Sequence, residues 1–112
     1  MHEYPVTVEI IGIAERFARE AGARSVKKIN LVVGDYCGYI PECISLYFGI
    51  IAEGTLCEGA ALSMERVKPL LRCETCGALF ERRPFSFECM ECGGQGAPTE
   101  IGREFYVKSI EI

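Results

Sequence analysis

Four of the seven cysteines in this 112-residue chain fall in two matching runs, Cys73-Glu74-Thr75-Cys76-Gly77 and Cys89-Met90-Glu91-Cys92-Gly93. Twelve residues separate the pairs. Each Cys-x-x-Cys pair closes a tight turn that aims two sulfurs at one point. The following glycine permits the positive φ that folds backbone N–H groups back toward the thiolates. Softness and tetrahedral geometry favour Zn(II), and four protein thiolates leave no open position for a substrate. The expected site is therefore structural. Disulfides, a redox Cys-x-x-Cys motif and a rubredoxin-like iron site are the competing readings. Seven cysteines leave one over in any disulfide scheme, and redox motifs rarely come in twos each followed by glycine.

His2 is the only histidine. A lone histidine is ordinarily a surface residue, but its position here gives it chemistry. Removal of an initiator methionine generally requires a small second residue, so Met1 should be retained ahead of His2. The Met1 α-amine, the His2 amide and the His2 imidazole then form fused chelate rings. The Glu3 amide or carboxylate, or a group from elsewhere, could complete a square plane. Nitrogen-rich square-planar geometry suits Ni(II) or Cu(II) better than zinc. These groups must shed protons to bind, so acid should release the metal.

The elements around these residues read as a small α/β frame. Val6, Ile10, Ile13, Ala14, Phe17 and Ala21 recur at spacings of three and four, predicting a helix over about 5–21, with Pro5 in its first turn and Gly22 as its stop. Lys28 to Val33 is rich in β-branched residues and reads as a strand ending at Gly34-Asp35. Pro41 opens a second helix running to about Glu53, with Ile44, Tyr47, Phe48 and Ile51 as its buried stripe. Ala61–Val67 and Glu104–Ile112 supply two further strands. Residues 70–102 differ in composition, with both cysteine pairs and too few large apolar residues for a core of their own. The expected fold class is α+β. A small α/β domain of two helices on a roughly three-stranded sheet (1–69 plus 103–112) is interrupted by a zinc-ribbon-like domain (70–102).

Composition narrows the function. No apolar run approaches the roughly 20 residues of a membrane helix, and no basic leader precedes the first helix, which points to the cytoplasm without membrane insertion. A net charge of -4 argues against a nucleic-acid binder, which needs many Lys and Arg to neutralise phosphates. No Walker motif is present, so nucleotide hydrolysis is not expected of this chain.

Met1-His2-Glu3, the amphipathic helix, Gly34-Asp35, Pro41-Glu42, Gly54-Thr55, Glu58-Gly59-Ala60 and the two cysteine pairs occur in an order that resembles the HypA/HybF family. The resemblance covers essentially the whole chain. It implies a nickel metallochaperone rather than an enzyme, carrying Ni(II) as cargo toward the [NiFe]-hydrogenase large subunit with a maturation GTPase of the HypB type. Nickel ligation carries over to Met1, His2 and Glu3, and structural zinc ligation to Cys73, Cys76, Cys89 and Cys92. Pro5 departs from the small non-proline residue of many relatives. It stiffens the segment beside the nickel site but follows the amides in question. Cys37, Cys43 and Cys57 lie outside the zinc pattern and read as small, partly buried hydrophobes. The alternative is that Cys37 approaches a bound metal, with Asp35 as an outer ligand. A β-edge or a swapped insert could join two chains into a homodimer. The contrasting functional reading is a zinc-ribbon module for protein or nucleic-acid interaction, in which His2 is incidental.

Overall fold

A computed structural model describes residues 2–112 of the chain. Helix α1 (Glu3–Glu20) begins two residues earlier than expected, so Pro5 lies within the first turn rather than at its opening position. The first four amides of a helix have no i−4 acceptor, which is why proline is tolerated there. The buried stripe is also rotated from the expected one. It consists of Glu3, Thr7, Ile10, Ile11, Ala14 and Ala18, while Phe17 is 48% exposed beneath the Arg16 guanidinium. Two polar residues turn the helix this way because both are satisfied. The Thr7 hydroxyl donates to the Glu3 carbonyl (2.6 Å), and the Glu3 carboxylate accepts from the Ile40 amide (3.0 Å).

Strand β1 (Lys28–Gly34) is the centre of a three-stranded sheet. Helix α2 (Pro41–Ile51) follows, two residues shorter than expected, and leads through a turn with Gly54 at φ +77° to strand β2 (Ala61–Val67). The last strand of the chain, here β6 (Phe105–Glu111), borders β1 on its other side. β1 pairs parallel with β2 and antiparallel with β6.

The register carries a bulge. Ile29, Leu31 and Val33 face Ile110, Val107 and Phe105 across the ladder, with Lys108 as the extra residue that shifts the parity. The bulge keeps all six of these side chains on the core side, although their spacing along β6 is not a strict alternation. Together with Ile10, Ile11, Ala14, Ile44 and Phe48 they form the apolar core between helices and sheet. The opposite sheet face carries polar side chains around the buried Val32, with Asn30 donating to Ser109 and Lys108 paired with Glu65.

Residues 70–102 hold a second, smaller sheet made of β3 (Leu71–Cys73), β4 (Leu79–Phe80) and β5 (Gly96–Pro98), in the order β4-β3-β5. The molecule is elongated, 54 × 28 × 17 Å, with a radius of gyration of 17.9 Å. A single compact domain of this length would measure about 13 Å. The two sheets meet at a glycine-packed joint. The Gly34 amide donates to the Glu104 carbonyl (2.6 Å) and the Tyr36 amide to the Gly102 carbonyl (2.7 Å). A side chain at Gly34 would run into the Gly102 carbonyl, and one at Gly102 into Pro69. Among the described residues no helix is long and apolar enough to cross a membrane.

Candidate metal centres

Each cysteine pair closes the same turn. The Cys73 carbonyl accepts from the Gly77 amide (3.0 Å) and the Cys89 carbonyl from the Gly93 amide (2.9 Å), with the two glycines at φ +76° and +75°. Chain reversal is completed by the Cys73 amide on Ala78 and the Cys89 amide on Gly94, both at 2.8 Å. The amides of Thr75 and Cys76 point at the Cys73 sulfur, and that of Glu91 at the Cys89 sulfur, each at 3.4 Å. These are the backbone donors that concentrated thiolate charge requires.

The two turns face each other. Sγ of Cys73 lies 3.3 Å from that of Cys92, and Sγ of Cys76 lies 3.7 Å from that of Cys89. All four ligand atoms fall within 4.8 Å of one another. A tetrahedral zinc site with Zn–S bonds of about 2.3 Å has sulfur–sulfur edges of roughly 3.8 Å, so the four sulfurs fit such an ion. Cys73 and Cys89 are buried while Cys76 and Cys92 are exposed, which puts the centre at the module's surface. Gly94 is part of this geometry and was not singled out by the sequence. A side chain there would crowd the Thr75 hydroxyl and the Cys73 sulfur, but a second glycine after a cysteine pair carries no distinct pattern.

The sulfurs titrate as a set. The Cys76 and Thr75 amides outweigh burial and hold the Cys73 thiol down to about 6. Cys92, although the Gly94 amide favours its thiolate, is pushed up to about 12 by the sulfurs of Cys73 and Cys76. Cys76 is likewise raised: the Ala78 amide favours its thiolate, but the Cys73 and Cys89 sulfurs oppose it. Without a cation, negative charge collects on one sulfur at the expense of its neighbours. A divalent cation removes that conflict.

A family model described as "Hydrogenase/urease nickel incorporation, metallochaperone, hypA" matches residues 1–112. The chain belongs to the HypA family. It is 38% identical over 113 residues to the hydrogenase maturation factor HypA of Caldanaerobacter subterraneus subsp. tengcongensis, a match covering 100% of this chain and 99% of that one. Its fold is similar to a solution structure of a HypA protein (TM-score 0.74, 23% identity, covering 100% and 96% of the two chains). It is also similar to a solution structure of the Ni metallochaperone HypA from Helicobacter pylori (TM-score 0.67, 24% identity, covering 100% and 97%). The four-cysteine cluster and the α+β architecture thus sit on a HypA frame.

The other residues weighed in the sequence are placed as follows. Met1 lies outside the described residues. His2 is exposed at the N-cap of α1, and its side chain makes no capping hydrogen bond. Among the described residues the four cysteines are the only group of three or more candidate ligands drawn together, so His2 joins no preassembled cluster. Glu3 is only 3% exposed. The α-amino group and the Ile40 amide hold its carboxyl down to about 2, against the opposing effect of burial. Asp35 pairs with Arg66 at 2.6 Å. The Cys37 sulfur accepts from the Tyr39 amide (3.4 Å) and packs against the core, while Cys57 is fully buried within it. Burial and the nearby Glu15 carboxylate push the Cys57 thiol up to about 11.

Proposed function

We propose that this chain carries Ni(II) as cargo on Met1, His2 and Glu3 and delivers it during maturation of a [NiFe]-hydrogenase large subunit. In this reading Zn(II) is resident and structural, held by Cys73, Cys76, Cys89 and Cys92. The proposal divides the chain into a nickel module (1–69 with 103–112) and a zinc module (70–102). Hydrolysis of GTP belongs to a partner of the HypB type, and delivery takes place in the cytoplasm. The chain itself is a carrier, not an enzyme.

The observation that carries the reading is the placement of His2. In a chain matching the nickel-incorporation family over residues 1–112, its only histidine stands exposed at the start of α1, and its side chain makes no capping hydrogen bond. First-turn amides lie outside the i→i−4 ladder, so metal–nitrogen bonds there would break no helical hydrogen bond. The engagement of the Glu3 carboxylate with Ile40 favours a split of roles. Its backbone amide is the ligand, while its side chain anchors the terminus to the segment before α2. Family descriptions name both hydrogenase and urease, and the hydrogenase is preferred because curated relatives are named hydrogenase maturation factors.

The test is a nickel titration of the untagged, zinc-loaded protein beside its His2→Ala variant. Loss of the imidazole should weaken nickel binding by at least about tenfold, roughly 1.4 kcal/mol. Zinc content should be unchanged. Equal affinity in both proteins would contradict the reading and return the zinc-ribbon interaction module as the better one.

A further inference from the structure

A cavity of about 650 Å³ opens at the joint between the two sheets, and none of the proposed metal ligands lines it. Its apolar lining comes from Pro69, Pro84, Pro98, Leu71, Phe87 and the exposed Tyr36. Two acidic residues reach it, and each is already answered: Asp35 by Arg66 (2.6 Å) and Glu81 by Lys68 (3.6 Å). The cations are not all answered. Among the described residues Arg82 and Arg83 have no carboxylate within ion-pair distance, and the Arg82 guanidinium is stacked 4.4 Å over the Phe87 ring. In a chain of net charge -4, this cavity therefore presents spare positive charge beside aromatic surface.

Phe85, at the rim, adds a second, independent observation. It is fully exposed, and it is the only non-glycine residue at positive φ (+59°) among those described. A bulky residue in the left-handed region is conformationally costly, and no core contact of its own ring offsets that cost. The loop holds an aromatic ring out toward the solvent next to two unanswered guanidinium groups.

We propose that this cavity receives an extended peptide segment of a partner protein in which one or two carboxylates flank an aromatic or large aliphatic side chain. Arg82 and Arg83 take the carboxylates, Arg83 free to bind two oxygens through its planar fork. The apolar side chain lies against Phe85, Phe87 and Tyr36, and the prolines keep the groove open without a conformational cost on binding. Charge selects this occupant over a nucleic acid. Two spare guanidinium groups suit one or two carboxylates, whereas a phosphate backbone carries a long run of charges that two such groups cannot answer.

The experiment uses the zinc-loaded full chain and a short fluorescein-labelled peptide of glutamate, phenylalanine and proline. A lysine-for-glutamate version and a labelled thymidine oligonucleotide serve as comparisons. Saturable binding of the glutamate peptide is expected, with amide shifts confined to residues 35–36 and 82–87. The R82A/R83A double variant should bind it about tenfold more weakly, and F85A should also weaken it. Zinc content and circular dichroism check that the variants are folded, with Arg83→Glu as the substitute if the double variant is not. No saturation by ~1 mM, the weak limit of specific association, would overturn the proposal. So would equal affinity in the arginine variants, equal binding of the lysine peptide, or tighter binding of the oligonucleotide.

Discussion

The two sheets of this molecule are held together by different physics. Around β1, side chains from two helices and three strands bury one another, and Ile29, Val33, Ala14 and Ile44 are wholly removed from solvent. Around β3, the buried hydrophobic residues are Leu71 and two of the cysteines themselves, Cys73 and Cys89. The first region folds because apolar area is taken out of water; the second has little such area to take. Its chain reversals are instead organised about four sulfurs that repel each other's charge until a cation joins them. A short chain can thus carry a metal-stapled appendage without enlarging its core.

Removing a sulfur should break this comparison most visibly. Cys73→Ser is expected to release the metal and unfold residues 70–102, because structural zinc supplies on the order of 10 kcal/mol of folding free energy to such modules. The helical circular dichroism of α1 and α2 should survive. A variant with native, dispersed amide signals throughout the insert would show that the sulfurs are not its core.

The converse change is Ile29→Ala, at the centre of the apolar core. It should cost about 2–5 kcal/mol in urea denaturation while leaving zinc content intact. Loss of zinc at concentrations of urea that leave this core folded would contradict the independence of the two regions.

Gly34→Ala probes the joint, where the added methyl meets the Gly102 carbonyl. Overpacking of about 1–3 kcal/mol is expected, with changed amide shifts on both sides of the joint. Shifts confined to β1 would mean that the joint transmits nothing.

The smallest effect is a matter of protons. A thiol depressed from the ordinary 9.0 to about 6, as at Cys73, favours the folded arrangement of the sulfurs fully above pH 9 and loses that contribution as pH falls through 6. A thiol raised to about 12, as at Cys92, contributes below pH 9 and loses its contribution only as pH rises through 12. Zinc loading must expel the protons that remain, so affinity should rise with pH. Calorimetry in buffers of different ionisation enthalpy should register proton release on loading, and none would contradict the charge arrangement.

Much of this was legible in the residues. The Cys-x-x-Cys-Gly repeats fixed which sulfurs converge, since a tight turn is a local property, and the strand Ala61–Val67 has the bounds expected of it. What escaped was decided at long range. Helix α1 turns on Glu3 and Thr7, polar residues that a hydrophobic stripe ignores, and Glu3 finds its partner at Ile40. The bulge at Lys108 is set by pairing with β1, not by anything in β6 alone. Strands as short as Leu79–Phe80 have no periodicity to read. The joint cavity gathers residues from 35 to 103, so no window of sequence contains it.

X-ray absorption at the nickel edge tests the central claim of two separate metal sites most directly. The untagged protein, loaded with zinc and given one equivalent of Ni(II), should show a square-planar nickel with nitrogen and oxygen neighbours only. Sulfur in the nickel shell, or zinc displaced into solution, would place the cargo on the cysteines and contradict the account.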